Sequence, residues 1–189
     1  DVFKLFKENR IWLGPSIHSG DREFGVPDHY PLSAAGTRVD EAGNKFIRVK
    51  SVRWFTNLDY EERHEDIALY ATYTPDKYPT YDNYEAIDVS KTQEIPMDYD
   101  GAMGVPITFL DKHNPDQFEI LGLSGNEDYP MTRKYGKKER VVDGVRMKSN
   151  TGTLRAVIRT DSFGAGTHFD VGYPVKGVYR RLFIRRKNG

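Results

Sequence analysis

Glycine and proline recur along the whole chain and limit it to short secondary-structure elements. The 189 residues include 17 glycines and 10 prolines, a frequency typical of chains with many turns. Residues 2–9 carry apolar side chains in a helical pattern, but this segment is short. We therefore expect a β-rich α+β fold, with an irregular, strand-rich region making up most of the chain.

Short apolar segments bounded by turn residues mark the expected strands. Two of them are predicted as hairpins, residues 37–50 with Gly43 at the turn and residues 141–147 with Asp143-Gly144 at the tip. Residues 70–84 and 95–106 are predicted to be irregular. The other predicted strands are residues 11–13, 51–57, 86–90, 118–123, 153–159 and 178–185, the last two forming a C-terminal strand pair.

The net charge of zero conceals a division of charge along the chain. Residues 1–132 contain 13 Lys and Arg against 24 Asp and Glu, whereas residues 133–189 contain 15 against 4. Such asymmetry indicates a surface for a polyanion, and nucleic-acid backbones are the obvious partner. The alternative is a basic strand beside acidic loops, which would leave a mixed folded surface. The candidate phosphate-contacting residues are Arg133, Lys134, Lys137, Lys138, Arg140, Arg146 and Lys148.

Several classes of protein and site are disfavoured by the sequence. The chain has no cysteine, so it can form neither a disulfide framework nor a thiolate zinc site. Its five histidines lack the spacing of a metal site, so no metal is expected. No apolar run approaches the roughly 20 residues that span a membrane, and no signal peptide is apparent, which fits the cytoplasm. Because the chain starts at Asp1 within a helical pattern, we expect residues to precede it.

Long and unusual strings throughout the chain resemble the C-terminal half of the EcoRI-type adenine-specific DNA methyltransferase family. The resemblance is strongest in residues 104–122, GVPITFLDKHNPDQFEILG, and in residues 51–58, SVRWFTNL. It continues through FGVPD at 24–28, YDNY at 81–84 and YRRLFIRRK at 179–187, and is weakest between about 124 and 176. This resemblance implies a bacterial, sequence-specific enzyme of the restriction-modification type that transfers a methyl group from S-adenosylmethionine to N6 of adenine.

The resemblance also implies two motifs that this sequence lacks. The family's Asn/Asp-Pro-Pro-aromatic catalytic loop has no counterpart, because residues 114–117, Asn-Pro-Asp-Gln, contain one proline and no aromatic residue. Residues 160–167 resemble a glycine-containing cofactor loop, but too few residues follow Gly166 for a βαβ unit, which needs about 30. We therefore expect no catalytic residue in this chain. The cofactor would bind a missing N-terminal catalytic half, and this chain alone would be inactive.

The resemblance assigns a role to each part of the chain. Residues 1–57 would be the C-terminal part of a methyltransferase-type catalytic sheet, and residues 58–189 a target-recognition and DNA-contact region. Trp54, Phe55 and Asn57 would contribute to a pocket for a target adenine that has left the double helix. Alternation along a strand places Trp54 and Phe55 on opposite sides, and we favour Phe55 for the base. The alternative is that both rings belong to the core.

Two other functions are compatible with the sequence. The chain could be a nucleic-acid-binding module that has no catalytic activity. It could also be a β domain that binds carbohydrate or protein through a tyrosine-rich surface, formed by Tyr70, Tyr73, Tyr78, Tyr81 and Tyr84.

Overall fold

The computed structural model describes residues 2–14, 22–31, 36–50, 53–136, 138–147 and 154–187. These residues form one α-helix, three 3-10 helices and fourteen short strands, which confirms the expected β-rich α+β fold. They divide into two units, a front unit of Ile11–Glu62 and a rear unit of Asp1–Arg10 with Arg63–Gly189. The helices are α1 (Val2–Lys7) and the 3-10 segments Glu61–His64, Thr92–Glu94 and Ile107–Lys112.

The front unit contains a three-stranded sheet and a separate strand pair. Its strands are β1 (Trp12–Leu13), β2 (Arg22–Val26), β3 (Thr37–Val39), β4 (Lys45–Val49) and β5 (Phe55–Thr56). The sheet has the antiparallel order β2-β4-β3, and β1 pairs with β5. The predicted β3–β4 hairpin is confirmed, with Gly43 at a φ of 85°. Strand β2 was not predicted, because its mostly exposed residues lack an apolar alternation.

The rear unit contains two sheets. Its strands are β6 (Ile87–Asp88), β7 (Met103–Pro106), β8 (Phe118–Leu123), β9 (Glu139–Val142), β10 (Val145–Met147), β11 (Ala156–Arg159), β12 (Thr167–Asp170), β13 (Pro174–Val178) and β14 (Arg181–Arg186). One sheet has the order β6-β7-β14-β8 and the other β10-β9-β12-β13-β11. The β9–β10 hairpin confirms its prediction, since Asp143 and Gly144 both have positive φ, as a type I′ turn requires.

Two of the sequence predictions for the rear unit were wrong, and two of its strands were missed. Residues 103–106 form the buried strand β7 inside a segment predicted to be irregular. Residues 178–185 are not one strand, because the chain leaves one sheet at Val178 and enters the other at Arg181. Strands β12 and β13 were not predicted at all. A continuous stretch of strand-forming residues gives no sign of where the chain changes sheets, and this limits the prediction.

The last strand of the chain lies at the centre of the core. Strand β14 pairs with β7 on one side and β8 on the other. Leu182 and Ile184 pack into one apolar cluster, and Phe183 packs into a second cluster that includes Ala156 of β11. Because strand side chains alternate, β14 supports both clusters at once.

A buried ion pair joins β14 to β6. The Nε atom of Arg181 lies 2.9 Å from Oδ1 of Asp88, and the two side chains are only 11% and 6% exposed. The hydroxyl of Tyr81 donates a second hydrogen bond to the same carboxylate. Burial and the charge of Asp88 raise the pKa of Tyr81 far above its usual value, so this hydroxyl stays protonated.

The segment Tyr81–Tyr84 links the two rear sheets through hydrogen bonds. The amide of Asp82 donates to the carbonyl oxygen of Val157 (2.8 Å), and Asn83 Oδ1 accepts from the Val157 amide (3.0 Å). Asn83 Nδ2 also donates to the carbonyl oxygen of Arg155 (2.8 Å). All three contacts fix residues of the segment to the start of β11, so the tyrosine-rich stretch is irregular, as predicted, but firmly held.

Within the described residues, no helix has both the length and the apolar character needed to cross a membrane.

We predict that Asp88→Asn lowers the free energy of unfolding by about 3 kcal/mol, because it leaves the buried Arg181 guanidinium without its counter-charge. Chemical denaturation of the full chain measures this. Asp100→Asn is the matched control, since Asp100 pairs with Arg186 at 3.2 Å but is 66% exposed, and its loss should cost less than about 1 kcal/mol. Equal effects of the two substitutions would contradict the structural role of the buried pair.

Candidate nucleic-acid interface

The candidate target-base residues lie on and beside the short strand β5 of the front unit. Thr56 is buried, whereas Phe55 is 50% exposed and Trp54 is 42% exposed. Asn57 follows the strand and is exposed. The strand is held by the pairing of Phe55 with Leu13 and by a hydrogen bond from Trp12 Nε1 to the carbonyl oxygen of Leu58 (3.1 Å). The alternative that both aromatic rings are buried in a core is therefore wrong.

The ring of Trp54 packs directly against the backbone of Gly14. A Cβ atom at Gly14 would lie 2.1 Å from Cζ2 of Trp54, so a side chain there could not coexist with this ring position. The Gly14 amide also donates to the carbonyl oxygen of Trp54 (3.1 Å). Trp54 is thus fixed as part of the scaffold. Phe55 is the first residue of β5, and its exposure beside the buried Thr56 fits the alternation of a strand.

A carboxylate that the sequence did not single out organises the start of the basic segment. Asp82 accepts hydrogen bonds from the hydroxyls of Tyr135 (2.6 Å) and Tyr173 (2.7 Å). Arg133 Nη1 lies 3.0 Å from its Oδ1 and also contacts the Tyr173 hydroxyl. The guanidinium of Arg159 stacks on the Tyr173 ring, with its Cζ 3.9 Å from the ring centroid. This group, the Asp82 cluster, ties residues 133–135 to the five-stranded sheet.

The electrostatics of the Asp82 cluster keep its carboxylate charged. Burial opposes the charge, but the hydrogen bonds from Tyr135 and Tyr173 and the positive charge of Arg133 outweigh it and lower the pKa of Asp82. Burial and the hydrogen bond to Asp82 raise the pKa of Tyr135, so its hydroxyl remains a donor. The motif YDNY at 81–84 was noticed only as a family string. Asp82 could have been suspected as an ion-pair partner of the basic residues that follow in the sequence. Nothing in the residues around it indicated that Arg133 would be that partner.

The remaining basic candidates occupy different environments. Arg146 bridges two carboxylates, those of Glu139 (2.6 Å) and Asp170 (2.7 Å). Lys134 is exposed, and Lys138 and Arg140 are partly buried. Arg140 lies on β9, where it faces away from the buried Val141. Lys137 and Lys148 lie outside the described residues.

Ion pairs within the rear unit join part of the basic stretch (residues 133–189) to the acidic stretch (residues 1–132). Four arginines from the basic stretch pair with carboxylates from the acidic stretch: Arg133 with Asp82, Arg181 with Asp88, Arg185 with Glu119 and Arg186 with Asp100. The mixed surface that the sequence left open as an alternative is therefore real in part. The arginines that carry no such partner become the better candidates for an external anion.

The tyrosine-rich segment does not form an open surface. Tyr78, Tyr81 and Tyr84 are at most 5% exposed, and Tyr73 packs against Tyr99 with ring centroids 4.7 Å apart. Tyr70 is exposed. Most of these rings thus serve the core, which leaves little support for a carbohydrate-binding or protein-binding tyrosine surface.

The segment that resembles a cofactor loop, residues 160–167, lacks the surroundings of a site for S-adenosylmethionine. Residues 160–166 connect β11 to β12, which lie on opposite sides of β13 in the antiparallel sheet, and among the described residues no helix follows that could complete a cofactor-binding unit. Oδ1 of Asp143, at the tip of the β9–β10 hairpin, accepts a hydrogen bond from the Gly166 amide (2.6 Å), which occupies a backbone group that a cofactor loop would present.

The Asn114–Gln117 segment is a structural turn. Asn114 is fully buried, and its side-chain nitrogen donates to the carbonyl oxygen of His64 (3.1 Å) and to Asp66 (3.0 Å). Its Oδ1 accepts from the amide of Asp116 (2.8 Å). Because both groups of this buried amide are engaged in the turn, it is not presented to the amine of a target base. Among the residues that the structure covers, no group of three or more His, Asp or Glu side chains could hold a metal ion.

Comparison with known proteins gives consistent results. A family model described as "Adenine-specific methyltransferase EcoRI" matches residues 1–187. The chain is 50% identical over 123 residues to the type II methyltransferase M.EcoRI of Escherichia coli, covering 64% of this chain and 38% of that protein. It is 34% identical over 160 residues to the type II methyltransferase M.MpnI of Mycoplasma pneumoniae, covering 82% of this chain and 48% of that protein. The chain thus spans less than half the length of these relatives. No solved structure matches it.

We predict that Asp82→Asn lowers the free energy of unfolding by about 2 kcal/mol at neutral pH, because three donors lose a charged acceptor. Since the folded-state pKa of Asp82 is lowered, its contribution is complete above the unfolded pKa of about 3.9 and is lost as the pH falls further. Chemical denaturation of the unaltered chain and of the Asp82→Asn variant, from neutral pH to below about 3.9, tests whether the charge of Asp82 is the cause. A difference between them that persists unchanged in acid would contradict the charge-based explanation.

Proposed function

The chain belongs to the EcoRI-type adenine-specific methyltransferase family, and from this we propose that it is the C-terminal part of an S-adenosylmethionine-dependent N6-adenine DNA methyltransferase. The observation that carries the proposal is the family match across residues 1–187, although the chain covers only 38% to 48% of the curated relatives. Its contribution would be DNA recognition and part of the target-base pocket. We place the protein in the bacterial cytoplasm as the modification component of a restriction-modification system.

We propose that the catalytic loop and the cofactor site lie in a catalytic half outside this sequence. Two observations support this. The sequence has no Asn/Asp-Pro-Pro-aromatic motif, and the Asn114 amide has all its hydrogen-bonding groups engaged in a turn. The described residues also lack a glycine loop followed by a helix. In this proposal residues 1–57 complete the catalytic sheet and residues 58–189 form the target-recognition region.

The front unit would contribute the surface against which an extruded adenine stacks. An enzyme that modifies a base within duplex DNA must take the base out of the helix and replace its lost stacking contacts. Phe55 suits this role because its side chain is half exposed. The residue before it, Trp54, packs against Gly14 and so holds this part of the backbone in place. The exposed Asn57 lies two residues further on and offers an amide for hydrogen bonding.

The rear unit would contact the DNA backbone. Lys134, Lys138 and Arg140 belong to the cationic segment at its five-stranded sheet, and we retain them as candidate phosphate contacts together with Lys137 and Lys148. Arg133 and Arg146 would have to exchange a carboxylate partner for a phosphate, which reduces the free energy that either could contribute. We therefore expect them to orient the basic segment more than to bind DNA.

The full chain should bind duplex DNA with an affinity that falls steeply with salt, and it should transfer no methyl group by itself. Each cation placed on a phosphate releases condensed counterions, so several contacts give a steep dependence. Fluorescence anisotropy with a labelled duplex measures the first property, and incorporation of labelled methyl groups from S-adenosylmethionine measures the second. Salt-independent or absent DNA binding would overturn the proposed role. Methylation by this chain alone would overturn the assignment of catalysis to another region.

Phe55→Ala in the intact enzyme should lower kcat by tenfold or more while changing DNA affinity by less than about threefold. Loss of a stacking platform costs about 1–3 kcal/mol per base and is felt when the base is extruded. Leu58→Ala is the matched control, because Leu58 is 74% exposed and lies beyond the same strand. Equal losses in both variants would assign the effect to the general surface of the front unit.

A further inference from the structure

An exposed tyrosine and arginine connect the two sheets of the rear unit. Strand β13 ends at Val178 and β14 begins at Arg181, so Tyr179 and Arg180 form the whole connection. Arg180 is exposed, and Tyr179 is 90% exposed. A side chain this exposed does not contribute to the core. Tyrosine has an apolar ring and a polar hydroxyl, and it is enriched at contact surfaces for that reason.

The side chain of Arg180 is oriented by a neighbouring turn. Its Nη2 donates to Oδ1 of Asn126 at 3.0 Å. The turn is held in place by Ser124, whose amide donates to the carbonyl oxygen of Arg181 (2.9 Å) and whose Oγ accepts from the Arg181 amide (2.9 Å). The position of Asn126 is therefore tied to the same connection that carries Arg180. This arrangement presents the guanidinium in a defined direction.

A second arginine approaches the same turn. Gly125 has a φ of +88°, and a Cβ atom built on it would lie 3.2 Å from Cδ of Arg155. The aliphatic part of Arg155 therefore lies against the Gly125 backbone, while the residue remains exposed. The Gly125 amide donates to the Tyr84 hydroxyl (2.9 Å), which anchors the turn to the core. Arg155 and Arg180 thus converge on residues 124–126.

These two arginines differ from most others in the basic stretch because no carboxylate neutralises them. Within the described residues, neither Arg155 nor Arg180 has a carboxylate oxygen within the 4.0 Å that defines an ion pair. Glu127 follows the turn but forms no ion pair with either of them. By contrast, five arginines of this stretch have carboxylate partners: Arg133, Arg146, Arg181, Arg185 and Arg186.

We propose that Arg155, Tyr179 and Arg180 form a phosphate-contacting surface for duplex DNA, an inference that rests on the proposed function. Guanidinium groups bind phosphate oxygens through paired hydrogen bonds and are weakly hydrated, which suits them to this contact. The Tyr179 hydroxyl can donate to a phosphate, and the free Asn126 amide nitrogen can do the same. Such contacts fix the position of a protein on DNA without reading its sequence.

The test compares two double variants of the full chain that remove the same charge. Arg155→Gln with Arg180→Gln should weaken binding to a labelled duplex at least tenfold and reduce the slope of log affinity against log salt by about two. Arg185→Gln with Arg186→Gln should change affinity less than about threefold, because both arginines already pair with carboxylates. Tyr179→Ala, outside any strand, should weaken binding severalfold, and Tyr179→Phe should recover only the part due to the ring.

The outcomes separate this inference from the proposed function. If the unaltered chain binds DNA and the Arg155/Arg180 variant binds equally well, only this surface is wrong. Equal weakening by both double variants would also overturn it, since the effect would then reflect net charge. If the unaltered chain does not bind DNA, the proposed function fails and the surface fails with it. Thermal unfolding of each variant shows whether it is folded. If an arginine variant is unfolded, DNA binding by Tyr179→Ala tests the surface instead, and unchanged affinity of that variant would overturn the proposal.

Discussion

The buried ion pair between Asp88 and Arg181 is the interaction on which the rear unit most depends. It joins a carboxylate of the acidic stretch to a guanidinium of the basic stretch, at the point where β14 enters the centre of its sheet. The Tyr81 hydroxyl donates a hydrogen bond to the Asp88 carboxylate. Because Tyr81 begins the segment that links the two sheets, the pair also fixes their connection. Breaking it would strand a charge inside the core.

This pairing changes how the charge division along the sequence should be interpreted. A basic stretch suggests a surface for a polyanion, but several of its arginines form ion pairs within the protein, with Asp82, Asp88, Glu119 and Asp100. Each such pair reduces the positive charge available to an external anion, although only the buried Arg181–Asp88 pair contributes much to stability. The cations that remain are fewer and more localised than the sequence count indicates. A count of basic residues in the sequence therefore overstates the size of a binding surface. The positions of the basic residues without a carboxylate partner are the better guide to where that surface lies.

Local features of the fold could be predicted, whereas its long-range features could not. The hairpins at Gly43 and at Asp143-Gly144 were predictable because turn geometry is encoded in adjacent residues. The change of sheets at Tyr179-Arg180 was not, since strand-forming residues continue on both sides of it. The Asp82 cluster was missed for the same reason, as Asp82 and Tyr173 meet only after folding. At the candidate site, Phe55 and Trp54 were chosen through the family resemblance, but the packing of the Trp54 ring against Gly14 could not be predicted, since these residues meet only after folding.

The sheet order β6-β7-β14-β8 has a consequence for biosynthesis. Strands β7 and β8 leave the ribosome well before Arg181–Arg186, and each has an edge that only β14 covers in the finished protein. Until then these edges are open to pairing with other strands, including those of another nascent chain. The four-stranded sheet therefore forms only after Arg181–Arg186 has been synthesised, and its folding yield should depend on how long the unfinished chain is kept from its neighbours.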